Sequence, residues 1–172
     1  MNRLFLLRHA KAETDAPNGG GDRDRPLAQK GERSMRHIGA WATEAVLAPD
    51  LVLCSPATRT RQTLALLLPR LGGRPQVKFE EALYLADAPA LLERLRRVPA
   101  RSASVLVIGH NPGLHALAVG LLRTAAGAHG KRLAQGMPTA ALAAFELDGP
   151  WATLDQGAAR LTDFVTPKEL RD

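Results

Sequence analysis

The stretch Leu4-Phe5-Leu6-Leu7-Arg8-His9 decides how this chain is read. Four consecutive apolar residues halt at an arginine and a histidine. A short, unbroken apolar run is the pattern of a strand buried on both faces, as in a parallel sheet covered by helices. Val105-Leu106-Val107-Ile108 repeats the pattern and stops at Gly109-His110. In open α/β sheets, ligands bind outside the carboxyl ends of such strands. Two imidazoles and a guanidinium are therefore expected where this type of fold does its chemistry. Arg8 carries a planar fork of donors suited to phosphate or carboxylate oxygens. His9 beside it is open to three roles: nucleophile, acid or anion ligand.

Working outward, further strand-like runs lie at 51–54, 76–79 and 140–147, with a shorter one at 151–155. Helical patterns fall between them. Over 28–47, Met35, Ile38, Trp41, Ala42, Ala45 and Val46 recur at three- and four-residue steps, and Pro49 stops the pattern. Ser55-Pro56 is expected to open a second helix, with serine as N-cap and proline in the first position. Leu64, Leu67, Leu68 and Leu71 would form its buried stripe, and Gly72-Gly73 its end. A third helix is expected from Pro89 to Arg97, entered at Asp87 or Ala88, and a fourth from Asn111-Pro112-Gly113 to near Arg123. Alternating strands and helices predict one α/β domain over 1–172, with a mostly parallel sheet covered on both faces. The short Asp148-Gly149-Pro150 turn predicts a hairpin, and so antiparallel pairing at one end of the sheet. The polar, glycine-rich segments Glu13–Arg25 and Ala126–Gly136 read as long surface loops, suited to lids or binding loops.

Composition narrows the classes. The 172 residues suffice for one domain with a sizeable core, and 45% hydrophobic with 23% charged residues is ordinary for a globular protein. No apolar run approaches the ~20 residues of a membrane span. The amino-terminal apolar run ends within four residues at Arg8, unlike a signal peptide, so a cytoplasmic location is expected. The single cysteine, Cys54, forms no internal disulfide and reads as a buried strand residue. A net charge of +6, with arginine supplying 18 of 23 basic residues, suits an anionic partner, although the arginines are scattered as on a solvated surface. The seven aromatics do not interleave with the basic residues, which argues against a nucleic-acid stacking platform. Neither nucleic acid nor membrane is an expected partner.

Three segments place polar groups at strand ends. The first carries Arg8 and His9 and the third His110. The second, Cys54-Ser55-Pro56-Ala57-Thr58-Arg59, puts Arg59 on the first turn of a helix, where peptide N–H groups also favour an anion. Two arginines, two histidines and a helix amino end make a pocket for a tetrahedral, multiply charged oxyanion.

These motifs resemble a known family. Leu7-Arg8-His9-Ala10, Ser55-Pro56-Ala57-Thr58-Arg59-Thr60-Arg61-Gln62-Thr63 and Gly109-His110-Asn111-Pro112 are similar, in order, to those of the histidine phosphatase (phosphoglycerate-mutase-like) superfamily. The short chain and Arg25-Pro26-Leu27 followed by Gly31 resemble its bacterial SixA-type phosphohistidine phosphatases. The resemblance runs through about residue 165. It implies a three-layer α/β/α sandwich, His9 as a nucleophile that becomes phosphorylated, and Arg8, Arg59 and His110 as holders of the phosphoryl oxygens. It also implies a phosphohistidine-bearing protein as substrate, inorganic phosphate as product, and no metal or other cofactor.

General chemistry agrees with these roles. Neutral imidazole is a competent nucleophile near pH 7. Arg8, Arg59 and a protonated His110 could stabilise the charge on the equatorial oxygens. Two positions depart from the superfamily. Ala10 stands where glycine usually follows the nucleophile. No strong motif supplies the carboxylic acid that ester-cleaving members use: Glu81 is the first candidate and Asp87 the second. A phosphohistidine needs such an acid less, because imidazole is a good leaving group. Other readings stay open: a small-molecule phosphomonoesterase or mutase, and a non-catalytic phosphate or phosphoprotein binder. Lys11, Arg23 and Arg25 are placed to reach an anionic substrate or to serve as solvated charge, with Arg25 named as a substrate contact. His115 is expected to be structural, and His37 and His129 to lie on the surface.

Overall fold

A computed structural model describes residues 1–125 and 127–171. The strands are β1 (Arg3–Arg8), β2 (Leu51–Cys54), β3 (Gln76–Phe79), β4 (Ser104–Gly109), β5 (Leu142–Leu147) and β6 (Ala159–Val165). The helices are α1 (Gln29–Glu44), α2 (Thr58–Leu67), α3 (Ala88–Arg96), α4 (Gly113–Leu121), α5 (Gly127–Gln135) and α6 (Pro167–Leu170). The strands form one sheet in the order β3-β2-β4-β1-β5-β6. β1, β2, β3 and β4 pair in parallel, while β5 runs antiparallel to both β1 and β6.

The continuous apolar runs are explained by the two faces. Leu4 and Leu6 of β1, with Val105 and Val107 of β4, pack on one side against Leu91 and Leu95 of α3, Leu114 and Leu117 of α4 and Leu133 of α5. Phe5, Leu7, Leu106 and Ile108 point the other way, onto Met35 and Ile38 of α1 and Leu64 and Leu67 of α2. Strand side chains alternate by geometry, so a strand with helices on both faces has no position left for a polar residue until it ends. The result is the three-layer sandwich.

Register then places the strand ends. Arg8 pairs with Gly109 and Cys54 with Ile108, so β1, β4 and β2 finish side by side with β4 in the middle. The pairing runs one step further: His9 N–H donates to Gly109 O at 3.1 Å and Ser55 N–H to Ile108 O at 3.1 Å.

Several local expectations are corrected. The segment expected as a loop at 126–136 is helix α5 over its described residues; position 126 lies outside them. Leu133 is fully buried, and His115 of α4 donates from Nε2 to Leu133 O at 2.6 Å, so tertiary contacts hold a helix whose glycines conceal it in the sequence. The run 151–155 is not a strand. Trp151 opens a 3-10 turn, buries its ring and donates from Nε1 to Ser102 O at 2.7 Å. The last strand is β6, so the antiparallel pair is joined by residues 148–158 rather than by a tight turn at 148–150. The N-cap of α2 is Ala57, not Ser55, and Pro56 precedes the helix. Leu68 and Leu71 lie beyond α2 and are not buried; within it Arg59, Thr60, Thr63, Leu64 and Leu67 are. The polar half of that inward face is directed at the site. Ala45 and Val46 lie beyond α1 and are exposed.

Candidate active site

Arg8, His9, Arg59 and His110 converge at the ends of β1, β2 and β4. His9 and His110 are 7% and 3% exposed, and Arg59 is 2% exposed. The two imidazoles face each other with centroids 5.4 Å apart and planes inclined by 56°.

His9 is oriented by backbone alone. Its Nδ1 lies 2.8 Å from Ala10 O, an acceptor only, so Nδ1 carries the proton and Nε2 keeps its lone pair. The Ala10 N–H donates to Thr63 Oγ1 at 3.0 Å, and the Thr63 hydroxyl donates to Arg59 O at 2.7 Å. One threonine of α2 thus ties the residue after His9 to the backbone of Arg59. The methyl of Ala10 is fully buried. From β5's side, Ala140 adopts φ +63° and its N–H reaches the carbonyls of Arg8 and His9 at 3.1 and 3.0 Å.

His110 is assigned by its two neighbours. Arg59 Nη2 lies 3.3 Å from its Nδ1 and, having only protons to offer, makes Nδ1 the acceptor. Nε2–H then donates to Ser55 Oγ at 2.7 Å. This contact is why Ser55 does not cap α2. Its hydroxyl serves His110, and its bond from Ala57 N–H is long, at 3.4 Å.

Burial governs the protonation of both rings. Burial, reinforced by Arg59, Arg8 and Arg25 against the opposing bond to Ala10 O, pushes His9 down to about 4. Burial, followed by Arg59, His9 and Arg8, takes His110 to about 3, with Asp22 opposing. Both imidazoles are therefore neutral near pH 7. Burial and the neighbouring Arg59 also lower Arg8. Arg8 donates from Nη1 to Met137 O at 3.2 Å, a carbonyl it shares with Asn111 Nδ2 at 2.8 Å. The Nε atoms of Arg8 and Arg59 are buried without a hydrogen-bond partner among the described residues. Two orphaned guanidinium donors beside two neutral imidazoles favour an anion with several oxygens.

The remaining candidates are engaged elsewhere. Glu81 is exposed and forms a two-pronged ion pair with Arg23, which keeps its carboxyl below the usual range. Asp87 caps α3, accepting from Ala90 N–H at 2.9 Å. Arg25 spends its donors within its own loop, on Asp22 at 3.0 Å and on Glu13 O at 2.8 Å. Cys54 is buried, and its thiol is pushed up to about 12 by burial. Among the described residues no group of three or more His, Cys, Asp or Glu side chains is arranged to hold a metal ion. No helix of the described residues is long and apolar enough to cross a membrane.

Two residues of the site were not singled out from the sequence. Asp22 Oδ2 lies 3.1 Å from Arg59 Nη2, its own carbonyl accepts from Arg59 Nη1 at 2.8 Å, and the Tyr84 hydroxyl donates to Oδ2 at 2.5 Å. The Tyr84 ring stands edge-on to His110 at 5.4 Å. Asp22 sits in a loop, where no periodicity marks it. Its proximity to Arg25-Pro26-Leu27 was the available signal.

Comparison with known proteins identifies the family. The profile of the histidine phosphatase superfamily (branch 1) matches residues 4–84. An uncharacterized protein of Mycobacterium tuberculosis is 37% identical over 165 residues, covering 94% of this chain and all of the relative. The SixA protein of Nakamurella multipartitia superposes with a TM-score of 0.81 at 33% identity, covering 96% of each chain. The protein histidine phosphatase SixA complexed with tungstate gives a TM-score of 0.78 at 25% identity, over 98% of this chain and 99% of that one. The chain therefore belongs to the histidine phosphatase superfamily, on its SixA-type branch, and is a phosphatase.

Proposed function

We propose that this phosphatase passes the phosphoryl group through His9 and takes it from phosphohistidine in a protein, releasing inorganic phosphate. The observation that carries the reading is the state of His9: buried, neutral, with Nδ1–H held by Ala10 O and the Nε2 lone pair left to react. In the first step that lone pair forms a bond to phosphorus. The bond from phosphorus to the leaving nitrogen breaks, and its electron pair stays on the leaving imidazole. In the second step a water oxygen attacks phosphorus, the N–P bond returns its pair to His9, and the water's protons end on phosphate and solvent. One hard displacement becomes two easier ones.

Arg8 and Arg59 supply the charge that the transition state requires, so the reading asks for no metal. His110 changes role as the anion enters. Burial, with the positive field of the two guanidinium groups added to it, holds it neutral in the free protein. A doubly negative phosphoryl group offsets that field and favours a proton on Nδ1, which then donates to a phosphoryl oxygen. The likeness to a protein histidine phosphatase supports the protein substrate, and the complex of that protein with tungstate supports an oxyanion site. Glu81 is ionised and engaged by Arg23, which weighs against a carboxylic acid for ester leaving groups.

Incubation with phosphoramidate should give an acid-labile, base-stable phosphoenzyme with one phosphate on His9. His9→Ala should lose both the label and turnover, and a phosphohistidine-bearing protein should be dephosphorylated by the wild type alone. Full turnover by His9→Ala would falsify the covalent step. Binding of phosphoprotein without turnover would point to a non-catalytic receptor.

A further inference from the structure

Asp22 places a second anion at the site. The chain supplies this carboxylate from the loop between β1 and α1, within the short 3-10 turn Asp22–Asp24. Three groups hold it. Arg59 Nη2 and the Tyr84 hydroxyl bond Oδ2 at 3.1 and 2.5 Å, and Arg25 Nε bonds Oδ1 at 3.0 Å. The Arg59 side chain is 3% exposed and that of Asp22 47% exposed, so the carboxylate lies on the solvent side of the guanidinium. Tyr84 closes the arrangement against His110, and the Arg23 guanidinium sits 5.3 Å from the Tyr84 ring centre.

That position determines what Asp22 meets. His9 is buried, at 7% exposed, and in-line displacement sends the leaving group away from the attacking nitrogen. Away from a buried nucleophile means toward solvent, on the side where Asp22 meets Arg59 and Tyr84 stands against His110. Resting on the phosphatase reading above, we propose that Asp22 is a specificity-determining residue. Its fixed negative charge faces the leaving group and selects phosphoramidates with a protonated nitrogen heterocycle over phosphate esters.

The chemistry follows from charge. The ring of a phosphoimidazole protonated on its far nitrogen enters positively charged and leaves as neutral imidazole, keeping the electron pair of the broken N–P bond. A carboxylate beside it stabilises the protonated form. An ester leaves as an oxyanion unless it is given a proton. Asp22 opposes that negative charge, and with its carboxyl held down at about 2, first by Tyr84 and then by Arg59 and Arg25, it has no proton to give. The same side chain therefore favours one class of leaving group and disfavours the other.

The test compares kcat/KM for phosphoimidazole and for p-nitrophenyl phosphate in the wild type and three variants. Asp22→Asn keeps the shape and removes the charge; the ratio of phosphoimidazole to ester efficiency should fall by about tenfold or more. Asp22→Glu restores the charge and should recover most of the ratio. Tyr84→Phe removes a bond but not the charge and should leave the ratio within about threefold of the wild type. Should the asparagine variant fold poorly, Asp22→Ala removes the same charge and carries the same expectation. An unchanged ratio in a charge-removing variant overturns the proposal. So does a parallel rise on both substrates, which would make Asp22 a mere competitor for Arg59. A wild type inactive on both substrates would instead remove the phosphatase reading on which the proposal rests.

Discussion

Nε2 of His110 lies 2.7 Å from Ser55 Oγ, and neither residue has more than 3% of its surface exposed. The bond joins the end of β4 to the end of β2 and fixes which imidazole nitrogen faces Arg59. Ser55→Ala leaves a buried N–H without an acceptor. It should lower unfolding free energy by about 1–3 kcal/mol in a denaturant titration. It should also reduce kcat about tenfold, since a ring free to turn no longer presents Nδ1 to the phosphoryl group. Wild-type kcat in this variant would reduce the contact to packing.

Acid should destabilise the protein through its two site histidines. Each has a folded pKa, about 4 for His9 and about 3 for His110, well below its ordinary 6.5. Between those values the unfolded chain binds more protons than the folded one, so stability falls as pH falls. The contribution is complete above about 6.5 and is lost progressively down through 4 toward 3. Asp22 is held at about 2, so the loss of its own contribution is centred below this window. Denaturant midpoints measured from pH 7 to pH 4.5 should decline more steeply for the wild type than for His9→Asn or His110→Asn. Equal slopes would mean that the imidazoles titrate normally.

Gly31 and Thr63 support the segment around His9 from two helices. A Cβ at Gly31 would stand 2.2 Å from Lys11 O, a backbone atom that cannot swing aside. Gly31→Ala should therefore force α1 away from the segment that follows His9 and cost several kcal/mol, read as a lowered Tm. Thr63→Val keeps the volume but deletes the acceptor for Ala10 N–H and the donor to Arg59 O. A loss of about 1–3 kcal/mol is expected, with reduced phosphoenzyme formation.

Glu81→Gln separates the ester reading from the phosphoramidate reading. The side chain is 72% exposed and its charge is already matched by Arg23, so its thermal midpoint should stay close to that of the wild type. Hydrolysis of p-nitrophenyl phosphate and of phosphoimidazole should each change by less than about twofold. A drop of tenfold or more confined to esters would establish Glu81 as their proton donor.

Much of the site was legible because strands announce their own ends. An apolar run buried on two faces cannot continue through Arg8 or through Gly109-His110, so the polar residues that stop it mark the edge where ligands bind. Arg59 is legible from the residues that precede a helix, although Ser55 serves His110 there rather than the cap. The hydroxyl that suits a cap also suits an imidazole, and only the register of β2 against β4 decides between them. The helix before Gly136 is hidden in the sequence for a related reason. Its glycines lower intrinsic helix propensity, and the burial of Leu133 that outweighs them is invisible in one dimension.

By itself, then, the sequence determined the alternation of strands and helices, the parallel core of the sheet, and the identity of the four residues that converge at the ends of β1, β2 and β4. These rest on local patterns: hydrophobic period, strand termination, residue chemistry at a helix start. The tertiary structure decided what depends on distance across the chain. It set the neutral state of both imidazoles, because burial is a property of the packed molecule. It gave His110 its tautomer through Ser55, 55 residues away, and brought Asp22 onto Arg59 across 37 residues and Tyr84 onto Asp22 across 62. Charge, proton position and the carboxylate beside Arg59 are settled by contacts between segments that share no local signal.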